Sequence, residues 1–334
     1  MNNAEKLIGK TPIIELPHGS NRLHLKLESM NPGLSIKDRV AFYICRTLDK
    51  AIGLEGQKIV EYSSGNLAIG LALASKIYGF HLTLIVTSGT SPDKIKLLQK
   101  YGAELIMVDE GVHSEDPLGF RGFARIIAET RECVFIDQFD NPLNPEAHRK
   151  TTAPEIHQQV PEADFVFSSM GTGGTATGIG RYFKENRLKT KVVGVTPDSG
   201  KFYAHFYGLP ENSRDEVNTV IEGVGEDFIP KNLDTDVLDG VVEVRDRLAL
   251  LEIEDLLGRT GLHFGGSSGM AIAGAKLYAD EHGLNNRDIV VVCPDSGNRY
   301  LSNSSVPKKE SPEGESVYSE VVNAHRKGEF PKIL

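Results

Sequence analysis

KIVEYSSGNLAIGLALASKIYGFHLTLIV (58–86) reads as strand, turn, helix and strand. KIVEY (58–62) and LTLIV (82–86) are short Val-, Ile- and Leu-rich runs, and residues 66–78 between them carry a helical period. Strands joined by a crossover helix lie parallel. The same rhythm continues with a helix over 92–100, the strand ELIMV (104–108), a helix over 119–130 and CVFI (133–136). A second series follows: DFVF (164–167), a helix over 175–185, KVVGV (191–195), VVEV (241–244), helices near 246–258 and 268–281, and DIVVVC (288–293). The pattern predicts an α/β protein with two parallel sheets, separated in sequence by the Pro- and Asn-rich QFDNPLNPEAH (138–148).

Composition narrows the function. At 334 residues the chain has room for about two domains of roughly 100–200 residues each. Hydrophobic residues at 40% together with 34 glycines place it in the globular range of roughly 45–50% apolar. The formal net charge of −9 gives no positive field for a phosphate backbone or an anionic lipid surface, so neither nucleic acid nor membrane is expected as a partner. Cys45, Cys133 and Cys293 form no CxxC pair and sit beside apolar residues, which predicts reduced thiols, no metal site and a cytoplasmic protein. The start, MNNAEKLIGK, has no apolar stretch of a signal peptide, and the apolar run 67–74 is cut by Lys76 well short of the roughly 20 residues of a membrane span.

Several polar segments fall where strands end and helices begin, the edge at which open α/β sheets bind ligands. In SSMGTGGTATGIGRYF (168–183) the glycines 171, 173 and 174 can turn backbone N–H groups toward an anion at a helix start, with Thr172 and Thr175 adding hydroxyls. A turn that only packs helix on strand would use the same glycines. No GK[ST] follows, so it is not a Walker loop, and the spacing does not fit a dinucleotide fingerprint. In LKLESMNPGLSIKDRVAF (25–42), Ser35 is the expected N-cap and Lys37 falls in the first turn, where the helix dipole disfavours a cation. Either Lys37 points into solvent, with Asp38 and Arg39 pairing at the surface, or it is neutral because it is bound as an imine. Ser63, Ser64, Gly65 and Asn66 crowd a further helix start and suit a carboxylate or simple capping. PDSG (294–297) and GGSSG (265–269) could each be a turn and nothing more.

Together the segments NPGLSIKDR, SSGN, QFDNPLNPEAHRKTT, GTGGT, EGVGEDFIP, GGSSG and PDSGNRYLS resemble, in content and order, the pyridoxal-phosphate enzymes of fold-type II. This is the tryptophan synthase β family, and the resemblance is to its cysteine synthase and cystathionine β-synthase branch, from about residue 8 to residue 302. It implies two three-layer αβα domains, each around a mostly parallel sheet. A large cofactor-binding domain would comprise 1–41 and 145–302, a smaller mobile domain 42–144 would be inserted in it, and 303–334 would be a polar linker and tail whose VYSEVVNAHRKGEF (317–330) could dock as a short helix.

The resemblance also implies residue roles. Lys37 is similar to the lysine that carries pyridoxal 5'-phosphate and shuttles the α-proton. Asn66 resembles the partner of the cofactor's ring hydroxyl oxygen, Gly171, Thr172, Gly173, Gly174 and Thr175 the phosphate loop, and Ser296 the serine facing the pyridine nitrogen. Ser63, Ser64 and Gln138 match positions that hold the substrate carboxylate, and Gly223 a backbone contact to substrate. The implied activity is β-replacement: the β-substituent of serine or an activated serine leaves, and a thiol, sulfide or amine nucleophile adds. A serine or threonine ammonia-lyase, or a catalytically lapsed cofactor-binding paralogue, are the alternatives, and a homodimer is expected. Four departures bear on the substrate. SSGNLA replaces the usual TSGNTG, so Leu67 stands for a carboxylate-binding threonine and Ala68 for a glycine. Tyr62 stands where proline is common, and Leu34 where a small residue is.

Overall fold

The computed structural model describes residues 4–109, 119–210 and 219–301. The tail 303–334, with its expected helix, lies outside the described residues.

The chain opens with a hairpin, β1 (Ile13–His18) and β2 (Asn21–Leu27), followed by α1 (Lys37–Ile52). The quoted stretch then folds as read: β3 (Lys58–Tyr62), α2 (Asn66–Tyr78) and β4 (His81–Thr87). Next come α3 (Pro92–Lys100), β5 (Glu104–Val108), α4 (Phe120–Thr130) and β6 (Val134–Phe135). These strands form a four-stranded parallel sheet in the order β5-β4-β3-β6.

The expected separator is partly helical. Residues Leu143–Ala147 form α5, continue through a π turn at His148–Thr152 and run into α6 (Ala153–Gln159). Its prolines sit at helix starts, where the missing N–H would have had no intrahelical acceptor. Beyond it lie β7 (Phe165–Ser169), α7 (Gly174–Glu185), β8 (Lys191–Pro197), α8 (Phe202–Tyr207), β9 (Gly240–Val244), α9 (Asp246–Thr260), α10 (Gly266–Glu281) and β10 (Asp288–Cys293). The second sheet has the order β1-β2-β10-β7-β8-β9, parallel except for β1. A two-residue connection cannot make a crossover, so β1 must run antiparallel at the edge.

Each sheet buries its own apolar cluster. Leu25, Phe167, Val193, Val291 and Met270 belong to that of the six-stranded sheet, and Val40, Ile59, Leu67, Leu71 and Leu84 to that of the four-stranded one. The two sheets with helices packed against them give the two-domain α/β architecture of fold-type II. The boundary expected at 41/42 falls inside α1, whose residues from Val40 onward already pack in the four-stranded sheet's core.

Asp38 and Arg39 do not pair at the surface. Both are buried: Asp38 accepts from Gly33 N at 2.5 Å, while Arg39 bonds Glu28 and Glu155. Lys26, wholly buried on β2, also reaches Glu155 at 2.9 Å and donates to the Thr11 carbonyl and the Gln159 side chain. This ionic cluster ties β2, α1 and α6 together.

Candidate active site

The functional segments gather at the C-terminal ends of the strands in both sheets. The turn 63–66 follows β3, Gln138 follows β6, Met170–Gly173 follows β7, and Pro294–Gly297 follows β10. In a parallel sheet all these ends point one way, so segments far apart in sequence meet there.

Lys37 is the first residue of α1. The expected cap by Ser35 is replaced by a tertiary one. Ile36 holds the cap position and donates its N–H to the Pro294 carbonyl (2.8 Å), Ser35 pairs with Asp295 as an isolated bridge, and Ser35 Oγ accepts only a long bond from Lys37 N (3.3 Å). The start of α1 is thereby fixed to the end of β10. Lys37 is half-buried and its Nζ reaches Thr172 Oγ1 at 3.4 Å, so it points at the glycine loop rather than into solvent. Burial lowers its pKa to about 8, against the opposing pull of the Glu226 and Glu61 carboxyls.

The glycine loop is packed too closely against its neighbours to carry side chains. Gly173 holds φ at +75°, and a Cβ there would lie 2.8 Å from Leu233. A Cβ on Gly171 would overlap the Gly223 carbonyl oxygen, and one on Gly174 the Asn144 side chain. The first amide of α7 bonded along the helix is Thr177 N, to Gly173 O (3.0 Å). The amides of Thr175 and Ala176 precede it at the positive end of the helix. Asn144 braces the loop, donating to Thr172 Oγ1 (2.9 Å) and to the Gln138 carbonyl (2.8 Å), while its own buried Oδ1 has no partner. Thr175 Oγ1 lies 3.3 Å from His148 Nε2, and burial near Lys37 and Arg39 holds that imidazole far below its ordinary pKa, hence neutral. Helix-start amides and threonine hydroxyls suit a phosphate monoester, so the loop fits pyridoxal phosphate.

The remaining expected residues divide. Asn66 opens α2 and donates to Asp295 Oδ2 at 2.7 Å, and Asp295 also receives the Tyr300 hydroxyl. Asn66 is thus held in place by the PDSG turn of the other sheet. Ser296 Oγ donates to the His263 carbonyl and accepts from Asn298 N, both at 3.3 Å. Ser63 Oγ caps its own turn, accepting from Gly65 N and Ala68 N at 3.3 Å, and Ser64 beside it is half-buried. Gln138 is buried, donates to Glu61 Oε1 and to the Tyr62 carbonyl at 3.3 Å, and accepts at its own carbonyl from Asn144 and Asn232. Gly223 has φ +78° and faces Gly171. Leu67 is 1% exposed within the core of the four-stranded sheet. Lys37, the loop, Gly223 and Asn144 form one group, and Asn66, Asp295 and Ser296 form another. Lys37 makes no direct bond to either Asn66 or Ser296.

Sequence reasoning missed Asn144, Asp295, Tyr300, Glu61 and Glu226. Glu61 had a signal: a charge inside KIVEY, where four of five residues are buried. Its Oε2 has no partner, and burial with Asp137 nearby raises its pKa well above the carboxylate range. Asp295 lay in the PDSG turn but was read only as part of it.

The Leu67 packing gives an expected result. Leu67→Thr removes methyl groups from the core and buries a hydroxyl, and should cost about 2 kcal/mol of stability. Urea denaturation measures it, and an unchanged midpoint would show that the side chain is not packed as described.

A family model described as pyridoxal-phosphate dependent enzyme matches residues 4–295, and the chain belongs to that family. It is 34% identical over 306 residues to cysteine synthase A of Escherichia coli (strain K12), covering 88% of this chain and 92% of that one. It is 32% identical over 320 residues to cystathionine beta-synthase of Saccharomyces cerevisiae, covering 90% and 62%. Among solved structures, O-ureido-L-serine synthase superposes with a TM-score of 0.83 at 30% identity, over 95% of this chain and 99% of that chain. A hydrogen sulfide-producing enzyme from Fusobacterium nucleatum gives 0.79 at 28% identity, over 90% and 98%. The protein is therefore a pyridoxal 5'-phosphate enzyme acting at the β-carbon of an amino acid. No helix among the described residues is long and apolar enough to cross a membrane, and the three cysteines are free.

Proposed function

We propose that this enzyme is a β-replacement synthase that removes the β-substituent of serine or an O-activated serine and adds a thiol, sulfide or amine. The observation that carries the reading is Lys37: an amine with its pKa lowered to about 8, aimed at a glycine loop built for a phosphate. An amine of that basicity can take a proton and return it near neutral pH. The bound cofactor supplies an electron sink that acidifies the α-hydrogen.

In this reading Gly171 to Thr175 hold the phosphate, and Lys37 anchors the cofactor and moves the proton at the α-carbon. Asn66, fixed by Asp295, orients the ring through its hydroxyl oxygen, with Ser296 toward the pyridine nitrogen. Ser63, Ser64 and Gln138, with the Gly223 backbone, receive the substrate. Leu67 packs in the core of the four-stranded sheet and offers the carboxylate nothing, so Ser63, Ser64 and backbone N–H groups would hold that group. Closing 42–144 over the substrate would exclude water. The same reading includes a homodimer in the cytoplasm, and light scattering tests the dimer.

The deciding experiment gives the purified protein O-acetylserine, O-phosphoserine and serine with a panel of nucleophiles and identifies products by mass spectrometry. A β-substituted alanine supports the reading. Pyruvate and ammonia as the only products would make the enzyme an ammonia-lyase instead. A second test concerns the loop: Gly171→Ala should weaken cofactor binding by roughly 10–100-fold, because overpacking against a backbone carbonyl costs about 1–3 kcal/mol. Absorbance titration of the apoprotein measures it, and unchanged affinity would remove Gly171 from the phosphate site.

A further inference from the structure

Glu226 stands beside the reacting groups with no bond that explains it. It closes the turn EGVGE, which is fixed to the glycine loop by Gly225 N donating to the Met170 carbonyl at 2.9 Å. Its Oε1 lies 3.7 Å from where a Cβ on Gly171 would stand, so the carboxyl sits beside the loop's first glycine. Lys37 and Tyr62 both feel its charge. Among the described residues it closes no salt bridge and no hydrogen bond, with Lys37 or with any other. A half-buried carboxyl without a partner works against stability, and such groups cluster where function requires them.

The surroundings indicate what it receives. Glu61 places a second carboxyl, fully buried, within reach of the same lysine. Tyr62 stacks on Phe139 (5.7 Å), which packs on Phe228 (5.2 Å), two residues past Glu226. Glu226, once ionised, disfavours an anionic nucleophile such as hydrosulfide or a thiolate, and both carboxyls and the aromatic faces favour an amine, which can donate N–H bonds to them.

Resting on the β-replacement reading, we propose that Glu226 binds the incoming nucleophile, that this nucleophile is an amine, and that Glu226 accepts its proton. The amine lone pair forms the N–Cβ bond, and the π pair of the Cα=Cβ bond left by loss of the β-substituent moves to Cα. Lys37 returns a proton to Cα, and the surplus N–H proton passes to the Glu226 carboxylate. Burial and the neighbouring Asp227 raise the Glu226 pKa to about 8 against the pull of Lys37, which makes its carboxylate a stronger base than an exposed glutamate.

The test uses the holoenzyme with O-phosphoserine and O-acetylserine as donors, and ammonia, 1,2-diaminoethane, glycine and sulfide as nucleophiles. Wild-type enzyme should form C–N products with a higher kcat/KM than the C–S product. Glu226→Gln should lower the amine-to-sulfide ratio of kcat/KM on the order of 10²-fold and erase the limb that rises near pH 8 in the amine profile; Glu226→Asp should restore part of both. Lys37, Asp227, Tyr62 and Glu61 are the other titratable groups around this site, so the limb is assigned to Glu226 only if the Gln variant lacks it. An unchanged ratio, a retained limb, or sulfide preferred by wild type overturns the assignment while leaving β-replacement standing. Wild-type enzyme that releases neither phosphate nor acetate from the donors overturns both.

Discussion

Lys37→Ala is expected to abolish the covalent link to the cofactor and to lower turnover by at least about 10³-fold, since the anchoring amine and the proton carrier are lost together. Borohydride treatment of the wild-type holoenzyme should leave a reduced cofactor adduct on the peptide containing Lys37, and the variant should give none. An adduct on another lysine would overturn the assignment. The fold should survive, because the Lys37 side chain makes one long bond, to Thr172. Its burial depresses its pKa from an ordinary 10.5 to about 8. The unfolded chain therefore holds that proton more tightly, and this contribution to stability rises with pH from about 8 to 10.5. At neutral pH the buried amine costs stability, so the Lys37→Ala apoprotein should melt no lower than the wild-type apoprotein.

Arg39→Leu should lower stability by about 3–5 kcal/mol, because it leaves buried carboxylates without their guanidinium. Arg39 Nε and Nη2 bond the wholly buried Glu28 at 2.6 and 2.8 Å, and Nη1 and Nη2 bond Glu155 at 2.8 and 2.7 Å. Hydrogen bonds and charge from Arg39, aided by Lys26, hold the Glu155 pKa at about 2 despite its burial. A depressed carboxyl contributes stability that is complete above its unfolded pKa of about 4.5 and is lost as pH falls toward 2. Without Arg39 that loss should begin at higher pH. Urea denaturation at pH 7 and across pH 5 to 3 measures both effects. A change under about 0.5 kcal/mol would show the cluster to be no more than a surface-type pairing. Because the cluster lies on α1 directly after Lys37, the variant should also bind cofactor less tightly.

The strand and helix order was legible from local pattern alone. KIVEY, LTLIV and DIVVVC are β-rich runs bounded by turn residues, and the helices between them carry their own period, so β3, α2, β4 and β10 fall within a residue or two of their expected bounds. The glycine loop and Lys37 were legible for the same reason: a glycine turn at a strand end and a cation in a first helical turn are anomalies visible in a few neighbouring residues. The sequence by itself thus determined the α/β class, the two sheets, the family resemblance and the segments that could bear chemistry.

Tertiary structure decided what each of those segments touches. The start of α1 is capped by the Pro294 carbonyl rather than by Ser35, and Asp38 and Arg39 turn inward instead of pairing in solvent. Asn66 meets Asp295 across 229 positions of chain, and Asn144 meets Thr172 across 28. Glu226 was invisible as a site residue because an isolated glutamate in a sequence reads as solvated surface, and Glu61 stood out only as a charge within an apolar strand. Only packing removes the water, leaves a carboxyl without a partner and sets it beside an amine. Local propensity acts over a few residues. Burial and charge act through space, and their outcome depends on which strand ends the sheet order brings together.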